Sequence, residues 1–78
     1  MPIKGTVAER ELAALAKKFR EAAGKSKTEA ARELDVSAPS VFNAEERPEL
    51  SLTNLRIRLI ERYSPYRVLG PVFLLKRK

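Results

Sequence analysis

The sequence predicts a mainly α fold, in which four short helices precede a C-terminal β-strand or hairpin within one domain of 78 residues. Two observations predict the helices: residues that cap helix starts recur along the chain, and each precedes a stretch where apolar side chains return every three to four positions. A third predicts the strand: after Tyr66 the sequence changes to YRVLGPVFLLKRK, rich in β-branched, aromatic and aliphatic residues.

The first helix is expected over residues 7–23. Thr6 and Glu9 have the T-x-x-E spacing of a capping box, in which both side chains accept hydrogen bonds from free backbone N–H groups. Gly24 suits a C-terminal cap. The side chains expected to face the core are Leu12, Leu15, Ala16, Phe19 and Ala23.

The second helix is expected over residues 27–34, because Ser26 and Glu29 form another capping box. A tight turn should follow, since Asp35 tolerates the left-handed backbone better than most residues do. Ser37 can then cap a third helix over residues 38–46.

The fourth helix is expected over residues 52–63, with Ser51 as its cap. The side chains at core spacing are Leu52, Leu55, Leu59 and Tyr63. Residues 66–76 are expected to be extended, with Gly70 and Pro71 as a bend or hairpin tip.

The second and third helices need a small residue where their backbones meet, and Ala31 lies five residues before Val36 and ten before Val41. Over residues 8–63 the chain resembles helix-turn-helix regulators of the Cro and phage-repressor type, also called the Xre type. The matching residues are Lys27, Ala31, Leu34, Val36, Ser37, Ser40, Val41 and Glu45. The resemblance implies binding to double-stranded DNA, with the third helix in the major groove.

The resemblance also implies which positions face the bases: Ser37, Ala38, Pro39, Phe42 and Asn43. Asn43 can make a bidentate contact with adenine, or it is an ordinary exposed asparagine. Phe42 can press on thymine methyl groups, contact a protein, or fold back onto the second helix or the C-terminal strand.

Lys27, at the start of the second helix, is implied to hold a backbone phosphate. The other candidate phosphate contacts are Lys25, Ser40, Arg47, Arg56 and Arg58. The net charge of +6 favours a polyanionic partner, and all of the excess lies in residues 54–78. Alternatively, these basic residues are a solvated helix face and a frayed tail.

The C-terminal segment carries more apolar surface than a lone strand should expose. We therefore expect two copies to pair there as a homodimer, which would set two third helices about 34 Å apart. The expected interface residues are Val68, Val72, Phe73, Leu74 and Leu75. The alternative is that the segment packs on its own domain.

The leading hypothesis is a cytoplasmic, dimeric, sequence-selective transcriptional regulator, similar to a Cro repressor, without a cofactor. The alternative is an interaction module, such as an antitoxin that binds a protein partner through its C-terminal strand, with DNA binding secondary. A basic RNA-associated protein ranks third, because interleaved exposed aromatic residues are missing.

The composition argues against other functions. The chain has no cysteine and no histidine, which excludes disulfides and argues against transition-metal sites and Cys or His catalysis. No nucleophile–base pair is visible, so we do not expect an enzyme. The longest apolar run, Val72 to Leu75, is too short to cross a bilayer.

Overall fold

Four α-helices and one β-hairpin make up the computed structural model, which describes residues 9–69 and 74–78. The elements are α1 (Glu9–Ala22), α2 (Lys27–Leu34), α3 (Ala38–Glu46), α4 (Thr53–Tyr63), β1 (Tyr66–Leu69) and β2 (Leu74–Arg77). The mainly α class with a C-terminal hairpin is thus confirmed. Among the described residues, no helix combines the length and apolar character that a bilayer crossing requires.

α1 turns most of the predicted stripe toward the core and buries two further residues, Ala13 and Arg20. Its buried residues are Leu12, Ala13, Ala16 and Arg20. Leu15 and Phe19 are half-buried and pack against the core, whereas the predicted Ala23 is exposed. Gly24 adopts a φ of 74°, as a C-terminal cap requires. The expected start at Thr6 lies outside the described residues.

α2 and the turn after it match the prediction. The Glu29 N–H donates to Ser26 Oγ over 3.0 Å and the Ser26 N–H donates to Glu29 Oε1 over 2.8 Å, which completes the capping box. Asp35 is left-handed, with φ 60° and ψ 47°. The Val36 N–H then donates to the Ala31 carbonyl over 2.9 Å, which closes the turn toward α3.

α4 begins one residue later than predicted, and Ser51 is not its cap. The capping position is Leu52, which makes no side-chain hydrogen bond to the helix start. The core face also differs, because Arg56 and Ile60 are fully buried beside Leu59. The predicted positions Leu52, Leu55 and Tyr63 are partly buried against the same core.

β1 and β2 form an antiparallel hairpin within the chain, in which Val68 pairs with Leu75. Both side chains are buried, with 8% and 4% of their surfaces exposed, and they belong to the core that the helices share. The expected dimer interface is therefore wrong at these two residues. Val72, Phe73 and the Leu74 side chain lie outside what the structure describes, as does the expected tip at Gly70 and Pro71.

Candidate nucleic-acid interface

α3 packs against the other three helices and keeps one side free. Val41 and Ala44 on its inner side are fully buried, as are most of the residues around them. On its outer side Pro39 and Phe42 are exposed, while Asn43 is half-buried. These three residues are spaced at i, i+3 and i+4, so they form one continuous surface.

Arg20 holds α3 from behind through a buried, two-point contact with Glu45. Its Nε donates to Glu45 Oε2 over 2.7 Å and its Nη2 donates to Oε1 over 2.9 Å. Its Nη1 donates to the Lys25 carbonyl over 2.6 Å, so one guanidinium joins α1, α3 and the loop before α2. The parallel geometry is the strong form of an arginine–carboxylate contact. Sequence reasoning missed this role of Arg20.

Arg56 is the second arginine behind α3, and its predicted contact with phosphate is wrong. The side chain is fully buried, and its Nε donates to the Ala44 carbonyl over 2.8 Å. Its Nη2 donates to the Arg47 carbonyl over 2.9 Å, so Arg56 satisfies carbonyl groups at the α3 C-terminus. Its Nη1 has no hydrogen-bond partner among the described residues. A signal was present, since position 56 falls on the same helical face as Leu52, Leu59 and Tyr63.

The first turn of α3 uses its hydroxyl groups internally. Ser37 Oγ accepts from the Ser40 N–H over 3.2 Å and lies 2.7 Å from Ser40 Oγ, with which it shares a hydrogen bond. This arrangement is the helix cap that the sequence predicts. Both predicted DNA-contacting serines are therefore partly committed to the fold.

Phe42 does not fold back onto the core. It is 48% exposed, and among the described residues it is the large apolar side chain that the fold leaves in solvent. The Lys27 Nζ lies 6.0 Å from the centre of its ring, at the outer range of a cation–π contact. The same amino group is 3.8 Å from the carboxylates of Glu45 and Glu46, too far for close hydrogen bonds.

The remaining predicted phosphate contacts already have partners within the protein. Lys25 Nζ lies 2.9 Å from Glu33 Oε2, and this hydrogen bond raises the Lys25 pKa. Arg47 Nε lies 2.8 Å from Glu49 Oε2. Arg58 donates to the Leu34 carbonyl and lines an open groove of about 430 Å³ beside the turn. The surface ion pairs Lys25–Glu33 and Arg47–Glu49 contribute little to stability, so a phosphate can replace their carboxylates at small cost.

Glu33 joins α2 to α4. The Tyr63 hydroxyl donates to Glu33 Oε1 over 2.5 Å, and together with Lys25 it lowers the Glu33 pKa to about 2. Burial, helped by the neighbouring carboxylate, raises the Tyr63 pKa to about 12. The two residues are 30 positions apart, and no local sequence pattern signals the contact.

The outer surface around α3 offers exposed apolar groups, amino and guanidinium donors, one amide and the Glu46 carboxylate, on a helix fixed from the inside. Within residues 9–69 and 74–78 no cluster of His, Cys, Asp or Glu can hold a metal ion.

No protein-family model, curated protein or solved structure matches the chain.

Proposed function

We propose that the protein is a cytoplasmic, sequence-selective DNA-binding regulator that inserts α3 into the major groove. The observation that carries the proposal is the α2–turn–α3 unit, in which Asp35 adopts the left-handed conformation at the turn. The inner side of α3 is fixed by the core and two arginines, and its outer side is exposed. The nine residues of α3 span about 14 Å, and a helix about 10–12 Å in diameter fits within a groove about 12 Å wide.

Phosphate contacts would come from residues around this unit: Lys25, Lys27, Arg47 and Arg58. Lys27 is the best placed, because its contacts with carboxylates are long and it begins α2. Each phosphate that the protein neutralises releases counterions. A plot of log affinity against log salt concentration should therefore have a slope of roughly −3 to −4 per protomer.

The proposal includes binding as a dimer on a two-fold symmetric site, with two α3 helices about 34 Å apart. Val68 and Leu75 would not contribute to such a dimer, since each is buried within its own protomer. Their burial likewise withdraws these two side chains from any surface that the C-terminal strand would offer to a partner protein.

The proposal is tested by selecting bound sites from random double-stranded DNA and measuring affinity for the enriched site across salt concentrations. Lys27→Ala should weaken binding to all sequences similarly and reduce the salt slope by about one, because one phosphate contact is lost.

Lys18→Ala is the matched control, since Lys18 is exposed and makes no ion pair among the described residues. It removes the same charge and should leave the slope nearly unchanged. Equal effects of the two variants would place the DNA elsewhere, and failure to enrich any site would contradict the function itself.

The second candidate function is a protein-interaction module, and exposed Phe42 favours it. Large apolar side chains left in solvent often mark protein contacts. This function predicts that no DNA sequence is enriched in the selection.

A further inference from the structure

We propose that α3 recognises the C5-methyl group of a pyrimidine in the major groove, and that Phe42 is the residue that contacts it. The inference rests on the proposed DNA-binding function and names the chemical feature that this function would select. Thymine carries such a methyl group in every A·T pair, and 5-methylcytosine presents the same group in a G·C pair.

The outer side of α3 has few free hydrogen-bonding groups. The Ser37 and Ser40 hydroxyls bond each other, and Ser37 Oγ also accepts from the backbone. Pro39 is exposed and has no polar atom in its side chain. The remaining polar groups on this side are the half-buried Asn43 amide and the Glu46 carboxylate, which is paired with Lys17 over 2.9 Å. Hydrogen-bonded reading of several bases is thus poorly supported by this helix.

The same side has an apolar surface instead. Phe42 is 48% exposed, and Pro39, three positions earlier, is its neighbour along the helix. The methyl group of thymine is the apolar feature that base edges present in the major groove. Contact with Phe42 would remove both apolar groups from water, which is favourable in proportion to the area buried.

Lys27 gives this surface a charge that suits DNA. Its amino group lies 6.0 Å from the centre of the Phe42 ring, at the edge of the apolar surface. If Phe42 contacts a base, the Lys27 amino group would therefore lie near the DNA backbone, where it could pair with a phosphate.

The first experiment changes only the DNA. In the selected site each thymine is replaced in turn by uracil, which keeps the hydrogen-bonding edge and lacks the methyl group. A second selection uses DNA in which all cytosines carry the C5-methyl group. We expect a loss of about fourfold at one or two thymines, or a gain of that size at a methylated cytosine. The position of the effect identifies which base supplies the methyl group.

The second experiment assigns the effect to Phe42. Phe42→Ala should abolish the difference between methylated and unmethylated bases, whereas Asn43→Ala, the control on the same side of α3, should retain it. Affinity that is insensitive to every methyl group, or a methyl effect that persists in Phe42→Ala, would overturn the inference while leaving DNA binding intact. Absence of any selected site would instead overturn the proposed function, and this inference with it.

Discussion

At the scale of single residues, the guanidinium of Arg20 fixes three segments at one point, and this makes a specific prediction about stability. Arg20→Met leaves the fully buried Glu45 carboxylate without its partner, which should cost about 3–5 kcal/mol of unfolding free energy. A chain of 78 residues has about 4–12 kcal/mol in total, so this variant should be close to unfolding in urea titrations.

The double variant Arg20→Met with Glu45→Leu removes both charges and should recover most of the loss, because apolar pairs of similar volume replace buried ion pairs well. Lys17→Met is the control: it breaks the partly exposed pair with Glu46 and should cost only a small fraction of the loss in Arg20→Met. A double variant no more stable than Arg20→Met would contradict this account of the pair.

The lowered pKa of Glu33 predicts how the stability of the fold depends on pH. Its pKa is lowered to about 2 in the folded protein by the Tyr63 hydroxyl and Lys25, whereas the ordinary value is 4.5. The ionised form therefore stabilises the fold fully above about pH 4.5, and this contribution is lost as the pH falls toward 2.

The Glu33→Gln variant tests that window in thermal melts. It should melt below the wild type at pH 7, and the difference should shrink between pH 4.5 and 2. A difference that stays constant through that range would exclude Glu33 as its source. Thr28→Ala, an exposed change on the same helix that removes no ionisable group, is the control and should melt at a constant difference from the wild type through that pH range.

Residue roles were the hardest feature to predict from the sequence. Arg20 and Arg56 are drawn inside because buried carboxylate and carbonyl groups must be satisfied, and those partners lie 25 and 12 positions away. An arginine within an apolar stripe is the available signal, but in the sequence it resembles a long side chain that reaches solvent.

At the scale of elements, two of the three serines that the sequence predicts as caps, Ser26 and Ser51, behave differently. Ser26 accepts from the Glu29 N–H, so Ser26→Ala should cost about 1 kcal/mol of unfolding free energy. Ser51→Ala is the matched control and should change stability by less than about 0.5 kcal/mol, since Ser51 is exposed and Leu52 occupies the capping position. Equal losses in urea titrations would contradict this assignment of the caps.

The difference between the starts of α2 and α4 explains why the first could be predicted from the sequence and the second could not. α2, the turn and α3 are set by contacts within three to five residues, such as the capping box and the Val36 N–H to the Ala31 carbonyl. The segment before α4 instead follows backbone turns, with the Leu50 N–H donating to the Arg47 carbonyl and the Leu52 N–H to the Leu50 carbonyl. Backbone turns of this kind leave little trace in side-chain identity.

At the scale of the whole molecule, the hairpin completes the core, so its apolar residues should stabilise the protomer. Val68→Ala should cost about 2 kcal/mol, the loss expected for two buried methyl groups and the space they leave. Arg67→Ala, on the exposed side of the same strand, should cost less than about 0.5 kcal/mol.

The melting temperature of Val68→Ala should fall by the same amount at low and high protein concentration. A shift that grows on dilution would indicate instead that Val68 lies in an intermolecular interface. Sequence patterning predicted the hairpin but not this packing, because an apolar strand face is equally suited to its own helices and to a second copy.

The two arginines behind α3 have a consequence for how the molecule can change over time. Contacts that fix α3 are made by its inner residues Val41, Ala44 and Glu45, while Pro39 and Phe42 point away from them. Substitutions at the outer positions therefore leave the scaffold almost untouched. During evolution the outer surface of α3 can change while the fold stays constant, so related chains with the same interior are free to prefer different ligands.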